Sequence, residues 1–154
     1  MHIQISARNR AFEFDAKPGT RLLYAGLAAG VQLPYECGTG TCGTCKARLV
    51  TGEVEDVWQQ ASGRKFLKQP GELLMCQCIA KSDCTLEVAN FVNAMAPGVS
   101  TPVFGRGTLR NARALTHDVT AFSIELDKPC DFDAGQFVVV QVPGVAGYRG
   151  YSMV

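Results

Sequence analysis

The chain has 154 residues, of which 47% are apolar and 19% are charged, and its formal net charge is +1 at pH 7. This length holds one domain, or one compact domain and part of another, and the composition is typical of a folded protein. The near-neutral charge excludes a strong general attraction to nucleic acid or anionic lipid. No apolar run approaches the roughly 18 residues that a membrane span requires.

The cysteines are the outlier in the composition, because there are seven and three of them fall within residues 37–45. An odd number and such close spacing favour metal ligation over disulfides. The N-terminus begins an alternating pattern and not a charged region followed by an apolar one, so no secretory signal is evident. We therefore predict a cytoplasmic protein with no nucleic-acid partner and no membrane anchor.

The first half of the chain predicts a mixture of strands and one helix. Alternating apolar residues over 3–14 predict a β-hairpin, and the apolar side of 22–28 predicts a short helix capped by Thr20 and ended by Gly30. Pro34 and three glycines make 31–45 a loop. Strands are predicted at 46–50, 54–57 and 84–89, with a weak helix over 59–69.

The second half of the chain predicts strands only, after a segment that contains proline and glycine. Residues 96–102 contain two prolines and one glycine, which predicts a linker. Three strand-like runs follow at 107–114, 119–126 and 136–142. Strands with no helix to cover them bury little core, so we predict an incomplete β-barrel. The predicted divisions are a domain over 1–95, a linker over 96–102 and a partial domain over 103–154.

The cysteine spacing indicates an iron–sulfur site. Cys37, Cys42 and Cys45 have the pattern C-x4-C-x2-C, and Cys76 follows later, which is the plant-type [2Fe–2S] spacing. An oxidised cluster with four thiolates carries a charge of about −2, and the glycines at 38, 40 and 43 allow backbone amides to point at its sulfurs. Structural zinc remains an alternative, although zinc sites usually pair two close C-x2-C units.

The other three cysteines have a simpler interpretation. Cys78 follows Cys76 by two residues, whereas Cys84 and Cys130 are isolated. Buried cysteine without a partner behaves as a small apolar residue. We therefore predict that all three pack in the interior.

Two segments resemble the plant-type ferredoxin family: Pro-Tyr-Glu-Cys-Gly-Thr-Gly-Thr-Cys-Gly-Thr-Cys at 34–45, and Leu-Met-Cys-Gln at 74–77. The resemblance covers about residues 1–92. It implies an α+β, β-grasp fold in which a mixed sheet is crossed by a helix, and a [2Fe–2S] cluster that carries one electron at a time. It also implies that the cluster ligands are Cys37, Cys42, Cys45 and Cys76, in a loop near the surface.

A further pair of segments, Gly-Gln-Phe-Val at 135–138 and Arg-Gly-Tyr-Ser at 149–152, resembles the start of the FAD-binding barrel of the ferredoxin-NADP reductase superfamily. The resemblance implies that Arg149 contacts the FAD pyrophosphate, Tyr151 lies against the isoalloxazine and Ser152 hydrogen-bonds near the flavin N5. Considered alone, Arg149 could be a solvated surface charge and Tyr151 a core aromatic residue.

A ferredoxin-like segment followed by the start of a flavin-binding barrel resembles the reductase components of bacterial multicomponent oxygenases. This resemblance implies NAD(P)H as electron donor and an oxygenase or hydroxylase component as acceptor. No nucleotide-binding βαβ unit and no catalytic triad are evident, so we expect this chain alone to be an electron carrier that does not oxidise NADH. The alternative is a stand-alone [2Fe–2S] ferredoxin with a non-catalytic β extension.

Overall fold

The computed structural model describes residues 1–130 and 132–153, and thirteen strands, one α-helix and one 3-10 helix occur in them. The first half of the chain contains β1 His2–Ala7, β2 Ala11–Asp15, α1 Leu22–Ala28, β3 Val31–Gln32, β4 Lys46–Thr51, β5 Val54–Asp56, the 3-10 helix Ser62–Phe66, β6 Glu72–Leu74, β7 Cys78–Ala80, β8 Cys84–Val88 and β9 Asn93–Ala94. The second half contains β10 Gly107–Ala114, β11 Thr120–Leu126, β12 Phe137–Val140 and β13 Arg149–Ser152.

A five-stranded mixed sheet is the framework of the first half. Its strand order is β2-β1-β8-β4-β6, and β1 runs parallel to β8 while the other neighbours are antiparallel. The short pairs β3–β9 and β5–β7 lie beside it. This arrangement of a mixed sheet with one crossing helix confirms the predicted β-grasp class.

Alternation along the central strands places their apolar side chains in one core. Ile3 and Ile5 on β1 and Leu86 on β8 are fully buried, and Ile5 is directly paired with Leu86. Side chains two residues apart on a strand point to the same face, which explains the pattern. The core also includes most of α1, because the helix packs against β2, β3 and β7.

Helix α1 begins one residue later than the sequence predicts. Its N-cap is Arg21, which makes no side-chain cap hydrogen bond, so the predicted cap at Thr20 is wrong. The helix forms because Leu22, Leu23 and Leu27 all enter the core, and tertiary packing stabilises short helices more than caps do. Gly30 has a φ of +77°, as its predicted role at the helix end requires.

Other local predictions differ in detail. The helix predicted over 59–69 is only the 3-10 segment Ser62–Phe66. Cys78 and Cys84 are buried as predicted, but Cys130 is exposed, so its predicted packing role is wrong. It lies in an irregular stretch after β11, outside the core that holds the other two. The linker and the boundaries of the domains remain predictions.

The second half consists of two separate antiparallel ribbons, β10–β11 and β12–β13. Between residues 103 and 153, leaving out 131, these ribbons do not close into a barrel, which agrees with the predicted incomplete barrel. Large apolar side chains on β10 and β11 are exposed, including Leu109 and Phe122. In the described part of the chain, no helix has the length and apolar character needed to cross a bilayer.

The central sheet gives a test of the core. We expect Leu86→Ala to lower the free energy of unfolding by about 2–5 kcal/mol, because it removes a fully buried side chain and leaves a cavity. Val50→Ala on β4 is the control, since Val50 is exposed and its loss is expected to cost less than about 0.5 kcal/mol. Urea denaturation followed by circular dichroism measures both, and equal losses would contradict the assigned core.

Candidate metal centre

The segment between β3 and β4 wraps its backbone around the sulfur of Cys37. The amides of Thr39, Thr41 and Cys42 each donate to Cys37 Sγ at 3.4 Å. The Thr44 amide donates in the same way to Cys42 Sγ at 3.5 Å. Several amides converging on one atom form a concave site for negative charge.

Glycines make this backbone path possible. Gly38, Gly40 and Gly43 have φ values of +64°, +86° and +80°, in the left-handed region that other residues rarely adopt. At Gly40 a Cβ atom would also lie 2.8 Å from Gln77 Nε2, so a side chain there has no room. The expectation that these glycines let amides reach the sulfur atoms is confirmed.

Cys45 and Cys76 are the other two thiols of the four-cysteine pattern. Cys45 ends the loop and Cys76 lies in the turn between β6 and β7, and their Sγ atoms are 3.1 Å apart. Both residues are buried. The Met75 amide donates to the carbonyl of Cys45 at 3.0 Å, which ties the two segments together. The expectation that the loop lies near the surface holds for exposed Thr41, whereas Cys76 is fully buried.

The surroundings favour thiolates at two of these positions. Burial opposes ionisation of Cys37, but the amides of Cys42, Thr39 and Thr41 outweigh it and lower its pKa to about 6. The hydrogen bond from Cys45 lowers the pKa of Cys76, and the same bond raises the pKa of Cys45. Thiolates are the form that ligates metal, so Cys37 and Cys76 are the two positions at which the surroundings favour the metal-binding form.

The donor set fits an iron–sulfur cluster. Four soft sulfur atoms are present, and backbone amides donate to two of them, Cys37 and Cys42, as a negatively charged, thiolate-ligated group needs. In the glycine-lined cradle the fully buried Gln77 has a side-chain oxygen with no hydrogen-bond partner. Over residues 1–130 and 132–153, no three His, Cys, Asp or Glu side chains converge as the ready-made ligands of a single ion.

Tyr24 in α1 and Arg21 at its N-cap form hydrogen bonds to the backbone near the cysteines. The hydroxyl of Tyr24 donates to the carbonyl of Gly38 at 2.6 Å, and burial raises the pKa of Tyr24 above its usual range, so the phenol stays protonated. Arg21 is buried, and its Nη1 donates to the carbonyl of Cys76 at 3.2 Å. Tyr24 therefore contacts the loop directly after Cys37, and Arg21 contacts the backbone of the fourth cysteine, Cys76.

The β12–β13 ribbon packs against the same loop. The Tyr148 ring lies 3.5 Å from the Arg21 guanidinium carbon and 5.9 Å from the Tyr24 ring. Phe137 lies 6.4 Å from the Tyr35 ring. At Gly150 the position of a Cβ is 3.9 Å from the carbonyl oxygen of Cys37. The second half of the chain is therefore in direct contact with the cysteine loop.

The three predicted flavin residues all lie on β13. Arg149 is exposed and its Nη1 donates to the carbonyls of Ala146 and Tyr148 at 3.3 and 3.0 Å. Tyr151 is 46% exposed, so it is not a core aromatic residue. Arg149 and Tyr151 share one strand face and Ser152 lies on the other, because side chains alternate along a strand.

Sequence reasoning missed the residues that support the site. Arg21, Tyr24 and Tyr148 act through contacts between distant segments, and no local pattern predicts these contacts. Trp58 is a similar case, since its ring lies 5.9 Å from the Arg149 guanidinium carbon. Gln77 was visible beside Cys76, but its burial was not.

Comparison with known proteins agrees with this geometry. Residues 6–81 match the family described as the 2Fe-2S iron-sulfur cluster binding domain. The matched segment contains the four cysteines and the sheet strands from β4 to β7. Residues 6–81 are therefore similar to ferredoxin-type domains that bind a [2Fe–2S] cluster.

The similarity to individual proteins extends beyond that domain. The chain is 38% identical over 142 residues to the ferredoxin–NAD(P)(+) reductase CarAd of Metapseudomonas resinovorans, and covers 88% of its own length and 41% of that protein. It is 30% identical over 149 residues to the xylene/toluene monooxygenase electron transfer component XylA of Pseudomonas putida, covering 96% of its own length and 41% of that protein.

A solved structure gives the same result. The ferredoxin reductase in carbazole 1,9a-dioxygenase superposes with a TM-score of 0.77 at 33% identity, over 99% of this chain and 48% of that one. A second structure of that reductase is described as its FAD apo form. The chain spans less than half the length of the relatives that it matches here.

The Tyr24 hydroxyl gives a test of loop support. We expect Tyr24→Phe to speed the loss of visible absorbance in excess chelator by roughly fivefold, because a hydrogen bond worth about 1 kcal/mol to the loop is lost. Tyr35→Phe is the matched control, since Tyr35 is 40% exposed. Equal rates for both variants and the unmodified protein would contradict this role.

Proposed function

We propose that this chain is the electron-transfer part of an NAD(P)H-dependent reductase that serves an oxygenase or hydroxylase of aromatic compounds or hydrocarbons. Cys37, Cys42, Cys45 and Cys76 hold the [2Fe–2S] cluster. FAD is the second cofactor in this proposal, and the residues that would hold it are Arg149 and Tyr151 on one face of β13 and Ser152 on the other. NAD(P)H is the donor, and the oxygenase component is the acceptor.

One observation supports the reductase assignment above the others: the flavin-type ribbon packs directly on the cysteine loop. Gly150 lies between Arg149 and Tyr151, and it approaches the backbone of Cys37. The similarity to reductase components runs through both halves of the chain, over 88–96% of its length in the two relatives described. A chance extension of a ferredoxin has no reason to keep this contact.

The residues of the chain have defined tasks in this function. A bound [2Fe–2S] cluster supplies one-electron chemistry at a potential near −400 mV in plant-type ferredoxins. The amides of Thr39, Thr41 and Cys42 stabilise negative charge on Cys37 in a half-buried setting. The Tyr24 hydrogen bond to Gly38 helps to hold these donors in place, and donors that are already oriented need little reorganisation when the charge changes.

The residues proposed to hold FAD also have defined tasks. Bound FAD accepts hydride and releases its electrons singly, which links a nicotinamide donor to a one-electron acceptor. Arg149 has a guanidinium suited to a pyrophosphate, and the exposed Tyr151 face suits a flat ring. Because the ribbon and the cysteine loop are in contact within one chain, the residues that would hold the two groups are tethered to each other, and this tether replaces diffusion of a separate carrier.

The stand-alone ferredoxin is the competing function. The coding sequence downstream of Val154 separates the two. An open frame that continues into a nucleotide-binding βαβ unit supports the reductase, and a stop codon supports the carrier. A reducing compartment suits either, because Cys37, Cys42, Cys45 and Cys76 must be reduced to act as thiolate ligands. We place the protein in the cytoplasm.

Metal analysis tests the cofactor directly. The anaerobically purified chain is expected to be red-brown, to bleach partly with dithionite, and to contain about two irons and two acid-labile sulfides. Little flavin is expected in the same sample, because the ribbons do not form a closed barrel. A colourless protein containing zinc would overturn the proposal, and stoichiometric flavin would show that the FAD site is complete.

The ligand assignment has its own test. We expect Cys42→Ala to lose the cluster spectrum, because it removes one of four thiolate ligands. Cys78→Ala is the matched control, since Cys78 is buried two residues after Cys76 and lies outside the C-x4-C-x2-C…C pattern. A colourless Cys78→Ala protein that remains folded would contradict the assignment.

A further inference from the structure

Gln77 is the most unusual side chain near the cysteine loop. It is 0% exposed, and its Oε1 atom has no hydrogen-bond partner. Its Nε2 atom donates to Cys76 Sγ at 3.5 Å. Leaving a buried polar atom unpaired costs about 1–3 kcal/mol, and an apolar side chain of the same length would avoid that cost.

The amide group is held in one place. The Gln77 backbone amide donates to the carbonyl of Leu74 at 2.8 Å, and its carbonyl accepts from the Val57 amide at 3.0 Å. The side chain lies over Gly40, where a Cβ would be 3.0 Å from its Cδ and Cγ atoms. Both its backbone and its side chain are therefore fixed by the turn and the loop.

The orientation of the amide follows from the charge on sulfur. An oxygen turned toward a thiolate would meet a second acceptor, whereas the NH2 group meets it as a donor. The unpaired Oε1 atom is then the cost of directing the donor at Cys76. A purely structural role does not require a donor at this position.

We propose that Gln77 sets the reduction potential of the cluster by donating a hydrogen bond from Nε2 to the sulfur of Cys76. This inference rests on the proposed function, in which Cys76 is a ligand. Hydrogen bonds to ligand sulfurs are one of the factors that fix cluster potentials. The reduced state places more negative charge on the sulfurs, so a donor stabilises it and raises the potential.

The test compares two substitutions that remove the donor. Gln77→Met keeps the length and is apolar, and Gln77→Glu keeps the shape but replaces the donor with an acceptor. The control is Gln69→Met, the same change at an exposed glutamine. Visible absorbance and iron content measure cluster loading, and an anaerobic redox titration measures the midpoint potential of the cluster.

The expected result is full loading with a more negative potential in both variants. A tenfold change in the one-electron equilibrium, about 59 mV, is the expected size for Gln77→Met, with a larger change for Gln77→Glu. The potential of Gln69→Met should equal that of the unmodified protein.

Other outcomes overturn the inference in distinguishable ways. An unchanged or more positive potential in a loaded Gln77→Met protein excludes tuning and leaves the proposed function intact. Loss of the cluster from both Gln77 variants also excludes the tuning role, because Gln77 would then be needed to assemble the loop. A colourless unmodified protein would remove the proposed function, and this inference with it.

Discussion

The convergence of three backbone amides on the sulfur of Cys37 is the constraint on which the site depends. Amides reach one atom from three directions only if the chain folds back tightly, and the positive φ angles of the loop glycines supply that path. Such a loop has little regular hydrogen bonding of its own, so it needs support from outside. The mixed sheet, the Tyr24 hydroxyl and the Arg21 guanidinium supply this support from segments that are distant in sequence.

Under the proposed function, the contact between the two halves of the chain takes the place of electrostatic attraction between separate electron carriers. A carrier that diffuses to its partner gains speed from a large net charge, and this chain has a formal charge of only +1. Here the β12–β13 ribbon contacts the cysteine loop through Phe137, which lies against Tyr35, and the neighbouring Tyr148 packs on Arg21. Covalent attachment and packing replace electrostatic attraction for that step.

The sequence predicted the parts of the molecule that are governed by local rules. Cysteine spacing and the glycines identified the cluster loop, because ligation and positive φ both limit residue type. The central strands followed from alternation, which burial of Ile3, Ile5 and Leu86 enforces. The cap at Thr20 failed because core packing, and not capping, decides where α1 begins. Arg21, Tyr24 and Gln77 were not predicted, because their roles arise from tertiary contacts. The roles of the cysteines and of the flavin residues were predicted from the resemblance to known families.

The parallel pairing of β1 with β8 affects how the protein is made. Strand β1 is at the start of the chain, yet its partner comes after all four cysteines, so the central sheet cannot assemble on the ribosome until Val88 has emerged. Parallel pairing over such a separation is slow, because a long loop must close before any contact forms. The cysteines are therefore synthesised well before the pocket that protects them exists.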